Sequence, residues 1–184
     1  MAHRMPTDAM NDAAPLVEVR ALSEADAGAY REIRLRALHE DPVPFLTTYE
    51  EEAARSVDDF VSRLRTCDPA TQVLGAFRDG LVVGTLGFYR HAHTKARHRV
   101  SLWGMYVARE ELRRGIGKAL LDGAIARLRS VGDVEQIELT VVQTEEPARG
   151  LYLARGFKVQ GVMRGAMKDG ERYFHEELMI LRLR

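Results

Sequence analysis

The sequence predicts an α/β or α+β domain built on a single mixed, mostly antiparallel sheet flanked by helices. Three observations predict this class. Strand-like and helical periodicities alternate along the chain, a tight-turn dipeptide joins two apolar strands, and a long amphipathic helix lies between two further strands. The length of 184 residues suits one domain, and a hydrophobic content of 46% suffices for a core. We predict the element order βααβββαβαββ over residues 15–184, after a flexible N-terminal tail over residues 1–14.

Composition and charge narrow the function classes. The 27 basic and 27 acidic side chains cancel, so we expect no nucleic-acid partner, because nucleic-acid binders usually carry a basic excess. Cys67 is the single cysteine, which excludes an intrachain disulfide and a metal site of paired cysteines. No apolar stretch approaches the ~18–20 residues that span a bilayer, and the N-terminus lacks the apolar block of a secretory signal. We therefore expect a cytoplasmic protein with no membrane partner.

The first predicted elements are a strand and two helices. The strand covers Leu16–Arg20, where apolar residues cluster. Each helix follows a Ser-x-x-Asp capping box, in which the serine and the aspartate satisfy each other's free backbone amides. The boxes are Ser23–Asp26, before a helix that ends near His39, and Ser56–Asp59, before a shorter helix.

A hairpin and a further strand occupy the middle of the chain. The strands Val73–Arg78 and Leu81–Arg90 flank Asp79-Gly80, a dipeptide favoured where a tight turn needs positive φ. A polar connection over His91–Arg99 leads to a strand over Val100–Ala108. Near-alternation in this strand predicts one face with Leu102, Gly104 and Tyr106, and an opposite face with Ser101, Trp103, Met105 and Val107.

The last predicted elements are two helices and three strands. Apolar residues at three- and four-residue spacing predict a long helix over Gly115–Val131. A short helix over Pro147–Arg155 has proline in its first turn and is ended by Gly156 in the left-handed conformation. The strands are Gln136–Val142, Phe157–Met163 and Tyr173–Leu183, the last two joined by a turn at Lys168-Asp169-Gly170.

The start of the long helix is the most informative segment for chemistry. Backbone N–H groups there have no partner within the helix, and the helix dipole adds partial positive charge. Gly115 and Gly117 lack a Cβ, so a bulky phosphate can approach the main chain. Arg113, Arg114 and Lys118 add positive side chains. This combination predicts a binding site for an anion.

Two common phosphate-binding motifs do not fit this segment. A Walker loop needs Gly where Leu112 stands and Ser or Thr where Ala119 stands. A dinucleotide fingerprint needs Gly in place of Leu120. Both motifs are therefore excluded.

Three motifs taken together resemble the GNAT superfamily of N-acetyltransferases. They are Met105-Tyr106-Val107, the turn Arg113-Arg-Gly-Ile-Gly-Lys118, and Ala148-x-x-Leu-Tyr-x-x-x-Gly-Phe157. The resemblance covers essentially Leu16 to Leu183. It implies a GNAT-like acyl-CoA N-acyltransferase fold with acetyl-CoA as cosubstrate and no metal. It also implies transfer of the acetyl group to a primary amine of a small molecule or peptide, by direct attack in a ternary complex.

The resemblance implies particular site residues. The backbone of Met105, Tyr106 and Val107 would bind the pantetheine arm and the thioester carbonyl, in the manner of an added strand. Tyr152 would be the general acid toward the departing thiolate. The pyrophosphate loop would consist of Leu112, Arg113, Arg114, Gly115, Ile116, Gly117 and Lys118. The chain departs from the family pattern at Leu112, where Gln or Arg is usual, and at Glu145, where Asn is frequent.

The acceptor side carries fewer signals. An alkylamine must lose a proton before it attacks, and a carboxylate is the usual base. Glu50 is the predicted general base, with Glu138 as a rival, and Glu51 and Trp103 are predicted to contact the acceptor. A solvated acidic run is the alternative interpretation of the glutamates. His91, His93 and His98 lie in a basic segment, so we predict no metal site there.

The motifs leave alternatives open. The chain could be a non-catalytic acyl-CoA-binding or sensing module, or an acetyltransferase that acts on a protein N-terminus or lysine. Edge strands at the C-terminus would permit a homodimer.

Overall fold

The computed structural model describes residues 17–184, and its centre is a seven-stranded mixed sheet with strand order β1-β2-β3-β4-β5-β7-β6. The strands are β1 (Glu18–Ala21), β2 (Gln72–Arg78), β3 (Leu81–Arg90), β4 (Arg99–Val107), β5 (Gln136–Val142), β6 (Lys158–Asp169) and β7 (Arg172–Arg182). The helices are α1 (Ala27–Glu40), α2 (Tyr49–Ala53), α3 (Val57–Leu64), α4 (Ile116–Ser130) and α5 (Glu146–Ala154). Neighbouring strands are antiparallel except β4 and β5, which are parallel. The predicted fold class is confirmed.

Two predictions concern residues outside the described range, one of them wholly and the other in part. The N-terminal tail over residues 1–14 lies there entirely, and so does Leu16 at the start of the first predicted strand. The described part of that strand begins at Glu18. None of the helices within residues 17–184 has the length and the continuous apolar run of a transmembrane span.

The sequence prediction missed helix α2. This five-residue helix is too short to show a helical period, but it has the same kind of start signal as its neighbours. Thr48 and Glu51 form a capping box, with the Thr48 amide donating to the Glu51 carboxylate at 2.9 Å. The two predicted boxes, at Ser23 and Ser56, are both present.

Helices cover both faces of the sheet and create two apolar layers. Helix α4 packs its buried side, which includes Leu120 and Leu128, on one face. Helices α1 and α3 cover the other face, where Tyr30 and Phe60 meet edge to face at 5.4 Å between ring centroids. The buried stripe of α4 matches the predicted spacing, because apolar side chains three and four residues apart share one side of a helix.

The C-terminal hairpin differs from its predicted length. Strand β6 continues to Asp169 instead of ending at Met163, and it forms one edge of the sheet. Most of its side chains are exposed, so they follow no apolar alternation that could have predicted the extension.

Helix α5 ends as predicted, and its end positions Tyr152. Gly156 has φ +87°, and the Phe157 amide donates to the Tyr152 carbonyl at 3.1 Å while the Gly156 amide donates to Leu153. These two bonds form a Schellman motif. The Tyr152 and Phe157 rings also meet edge to face, 5.8 Å apart. The turn therefore fixes both the backbone and the ring of Tyr152.

We expect Gly156→Ala to lower the free energy of unfolding by about 1–2 kcal/mol, because only glycine adopts this left-handed conformation without strain. Urea denaturation followed by circular dichroism measures the change. Gly132→Ala is the matched control, since Gly132 has no positive φ and a Cβ there would meet open space. Equal stability of the two variants would contradict the prediction.

Candidate active site

The two parallel strands at the centre of the sheet separate along their length. Their pairing is confined to Arg99–Ser101 on β4 and Gln136–Glu138 on β5. Beyond these residues β4 runs on to Val107 and β5 to Val142 without pairing with each other. The facing edges therefore present main-chain donors and acceptors to a cleft of about 450 Å³, lined by both strands and by α4 and α5.

A bulge in β4 sets which side chains face the cleft. Thr85 of β3 is opposite Tyr106, but Gly87 is opposite Trp103, so β4 has one extra residue in between. Gly104 has φ +62° at this point. As a result Leu102 and Met105 both face the α4 layer, while Trp103 and Tyr106 face the opposite layer. The predicted near-alternation places Leu102 and Tyr106 on one face, and Trp103 and Met105 on the other, and it is therefore wrong across the bulge.

The loop before α4 presents a set of free backbone amides. Arg113 and Gly115 have φ of +62° and +80°, and the first bond of the helix is donated by Ala119 to the Gly115 carbonyl. The six amides of residues 113–118 donate to no acceptor within residues 17–184. Side chains near Gly115 leave open space around it. The loop thus leaves these N–H groups free to donate to an anion, and the anion site itself stays a prediction.

The buried carboxylate of Glu111 forms ion pairs beside this loop. Glu111 is buried and lies 3.1 Å from the Arg78 guanidinium and 3.6 Å from that of Arg114. Arg114 itself is half-exposed, and its neighbours Arg113 and Lys118 line the cleft. The mouth of the cleft therefore combines free amides with positive side chains, which suits a diphosphate group.

Tyr152 reaches the cleft from α5. Its side chain is buried, and its hydroxyl lies 3.3 Å from Met105 Sδ, a weak acceptor. Burial raises the pKa of Tyr152 to about 12, so the phenol stays protonated at neutral pH. The hydroxyl is therefore a proton donor with no strong acceptor among residues 17–184. Glu145 lines the same cleft, and burial together with nearby Asp41 raises the pKa of its carboxyl group.

The three neighbouring glutamates of α2 have different environments. Glu50 is exposed and lines a separate cavity, which shares Phe45 with the cleft. Glu51 caps α2 and is not among the described residues that line either cavity. Glu52 is buried, and its carboxylate accepts a hydrogen bond from Arg63 at 2.6 Å.

Sequence reasoning missed the surroundings of Glu52. Arg34 from α1, Arg55 before α3 and Arg63 from α3 all approach this carboxylate. They line a second cavity of about 360 Å³, and Trp103 lines both this cavity and the cleft. No local motif links these residues, because three separate segments supply them.

Glu138, the rival candidate for the general base, is engaged in hydrogen bonds outside the cleft. Its carboxylate binds the Arg99 guanidinium at 2.7 Å and His91 Nε2 at 2.8 Å, at the paired end of β4 and β5. Burial acts to raise the pKa of Glu138, but these hydrogen bonds and that from Ser101 outweigh it and lower the pKa. Glu138 is not among the described residues that line the cleft. The expectation of a Glu138 base is not supported.

The fold and the cleft define a transferase of the class that takes an acyl group from coenzyme A. A model of the acetyltransferase (GNAT) family matches residues 33–157. The chain belongs to this family and is an acetyl-CoA-dependent acetyltransferase.

Solved structures share the fold at low sequence identity. An acetyltransferase of the GNAT family from Streptococcus pneumoniae is 21% identical with a TM-score of 0.75, covering 91% of this chain and 99% of that one. An N-acetyltransferase from Staphylococcus aureus is 16% identical with a TM-score of 0.80, covering 92% and 99%. A phosphinothricin acetyltransferase from Sinorhizobium meliloti, in complex with acetyl-CoA, is 24% identical with a TM-score of 0.76, covering 90% and 88%.

Proposed function

We propose that this protein transfers the acetyl group of acetyl-CoA to a primary amine of a small molecule or a peptide, by direct attack in a ternary complex. The observation that carries the proposal is the set of six free amides of residues 113–118, at the start of α4, in a cleft that the separated strands β4 and β5 also line. The free amides can bind a diphosphate, and the unpaired strand edges can form hydrogen bonds with an extended arm that contains amide groups. Coenzyme A contains both groups, and its acetyl thioester supplies the activated carbonyl.

The binding residues follow from this arrangement. Backbone amides of residues 113–118 would hold the diphosphate, with Arg113, Arg114 and Lys118 adding positive charge. The open edge of β4 at Met105–Val107 would accept and donate hydrogen bonds to the pantetheine arm. Leu112 is half-exposed and contributes its backbone to the loop, so its side chain need not provide the contact.

Tyr152 is the proposed general acid. Tyr152 and Met105 both line the cleft, the Tyr152 hydroxyl lies against the Met105 sulfur, and it is protonated at neutral pH. As negative charge develops on the departing sulfur, the Tyr152 hydroxyl donates a hydrogen bond to it that strengthens as the C–S bond breaks, and the proton moves along this bond to the thiolate.

Glu50 is the proposed general base on the acceptor side. Glu51 is engaged in the cap of α2 and Glu52 in ion pairs, whereas the Glu50 carboxylate has no hydrogen bond or ion pair within residues 17–184. Its cavity and the cleft share the lining residue Phe45, and the proposal requires a water to relay the proton across this border.

Thiol release from acetyl-CoA, measured over a panel of primary amines, tests the proposal. We expect release that depends on the amine, with an acetylated product one acetyl group heavier by mass spectrometry. Calorimetric titration with coenzyme A serves as the binding control. Heat of binding without any amine-dependent thiol release would favour the non-catalytic acyl-CoA-binding module instead. Absence of heat with coenzyme A and acetyl-CoA would contradict the proposed site.

A further inference from the structure

The second cavity carries an unusual excess of positive charge. Its volume is about 360 Å³, and its charged lining residues are Arg34, Arg55, Arg63 and Glu52. The three guanidinium groups surround the one carboxylate, at 3.6 Å from Arg34 Nε, 3.3 Å from Arg55 Nε and 2.6 Å from Arg63 Nη1. The formal sum is three positive charges and one negative charge. This cavity therefore attracts an anion and repels an ammonium group.

Arg34 lacks the hydrogen-bond partners that a buried arginine needs. Its side chain is only 7% exposed, and within residues 17–184 its Nε and Nη1 atoms have no hydrogen-bond partner. Glu52 is close enough for an ion pair but too far for a hydrogen bond. Buried polar groups without partners are rare, because each one loses its hydration for no return. Arg34 Nε and Nη1 are therefore free to donate hydrogen bonds to the oxygen atoms of a ligand.

The arginine cluster borders the proposed reaction centre. Arg34 Nη1 lies 3.7 Å from the position that a Cβ at Gly104 would occupy, beside the bulge that precedes Met105. Trp103 and Phe45 complete this border, with the Phe45 ring centroid 4.5 Å from Arg34 Cζ. The Phe45 ring holds the guanidinium in place by stacking against it.

We propose that Arg34, Arg55 and Arg63 bind an oxyanion of the acceptor, so that the preferred acceptors are amines that also carry a carboxylate or phosphonate group, such as amino acids. This inference rests on the proposed function and adds the substrate class. The positive cavity orients the acceptor: its anionic end lies against the arginines, and its amine is directed past Trp103 toward the cleft. Thr47, Thr71 and Gln72 also line the cavity and provide neutral hydrogen-bond donors.

The test compares matched acceptors that differ in one charge. Each L-amino acid of a panel is assayed for thiol release beside its primary carboxamide, which has the same shape but no negative charge. Aminoalkylphosphonates and the corresponding alkylamines form a second arm that separates phosphonate from carboxylate recognition. We expect kcat/KM to favour the anionic member of a pair by roughly tenfold to a hundredfold, as charge-assisted hydrogen bonds do. Equal kcat/KM within the pairs of both arms would overturn the proposal.

The variant Arg55→Gln tests the cluster in a fold that tolerates it. Arg55 is half-exposed, so its replacement leaves the buried Arg34 and Arg63 in place. We expect about a tenfold rise in KM for the anionic acceptors, with little change for the carboxamides. Arg65→Gln is the matched control, because exposed Arg65 pairs with Glu24 and does not line the cavity. An identical KM in both variants would contradict the assignment.

A binding experiment keeps this inference separate from the proposed function. Protein saturated with coenzyme A is titrated calorimetrically with N-acetyl-L-amino acids and with their amides, which represent the acetylated products. Binding of the acids that is lost in Arg55→Gln supports the site even if turnover is slow. Heat with acetyl-CoA but none with any acid overturns the anion site alone. No heat with acetyl-CoA contradicts the proposed function itself.

Discussion

Replacing Tyr152 with Phe is expected to lower kcat about a hundredfold and to leave the affinity for acetyl-CoA within about twofold. A positioned general acid contributes roughly 10²–10⁴ in rate, and a phenol with a pKa of about 12 belongs at the lower end of that range. Among residues 17–184 the hydroxyl has a hydrogen bond only with the Met105 sulfur, so its removal leaves no strong acceptor unpaired. Single-turnover measurement of thiol release gives the chemical rate, and calorimetry gives the affinity.

Tyr173→Phe is the control for the Tyr152 variant. It removes the same hydroxyl group from an exposed tyrosine of β7, so kcat should stay at the level of the unchanged protein. A Tyr152→Phe protein with full kcat would show that Tyr152 only packs against Phe157. A large loss of acetyl-CoA affinity would instead assign Tyr152 to binding.

Gly117→Asp is expected to weaken acetyl-CoA binding by about a hundredfold or more. The aspartate places a negative charge among the backbone amides that we propose bind the diphosphate. Two negative charges in close contact repel each other strongly. The fold should tolerate the change, because aspartate in the first turn of a helix is favourable. A Cβ at Gly117 would approach the flexible Met105 Cε to 3.1 Å, which requires only a small adjustment. Calorimetric titration with acetyl-CoA measures the loss.

The neutral variant Gly117→Asn separates charge from bulk. Asparagine has nearly the size of aspartate but no charge, so we expect a loss at least tenfold smaller. The affinity of the aspartate variant should also recover partly at high salt, since ions screen the repulsion. Equal losses in the two variants would mean that bulk alone closes the site, and the proposed charge effect would be wrong.

Most of the fold was predictable because its signals are local. The capping boxes at Ser23 and Ser56, the Asp79-Gly80 turn and the glycine at 156 each act within a few residues. The missed helix α2 shows the limit of periodicity, since five residues make little more than one turn. Its capping box, Thr48-x-x-Glu51, was the signal that could have found it.

The bulge at Gly104 could not be predicted from alternation. A glycine fits either face of a strand pattern, so the sequence does not reveal where the count of residues slips by one. The slip is set by β3, where Gly87 leaves the room that the Trp103 indole ring occupies. Only the pairing of the two strands makes this visible.

The two halves of the candidate site differ in predictability for a similar reason. The anion loop and the Tyr152 segment are each continuous in sequence, so motifs could identify them. The arginine cluster brings together Arg34, Arg55 and Arg63 from separate segments, and nothing in the local sequence distinguishes these arginines from surface ones. Among the glutamates, burial rather than sequence position separates Glu52 from Glu50 and Glu51.

The short ladder between β4 and β5 joins two parts of the sheet, β1–β4 and β5–β7, along a narrow junction. Three residue pairs connect the two parts, and the Arg99–Glu138 ion pair also links them at that junction. The pKa of Glu138 is lowered in the folded protein, so the Arg99–Glu138 ion pair stabilises the fold above the ordinary pKa of the carboxyl group. This stabilisation is lost as the pH falls through the lowered pKa. Acidification therefore weakens the junction between the two parts of the sheet. Acetyl-CoA bound between the unpaired edges of β4 and β5 would connect the same two parts at their opposite end.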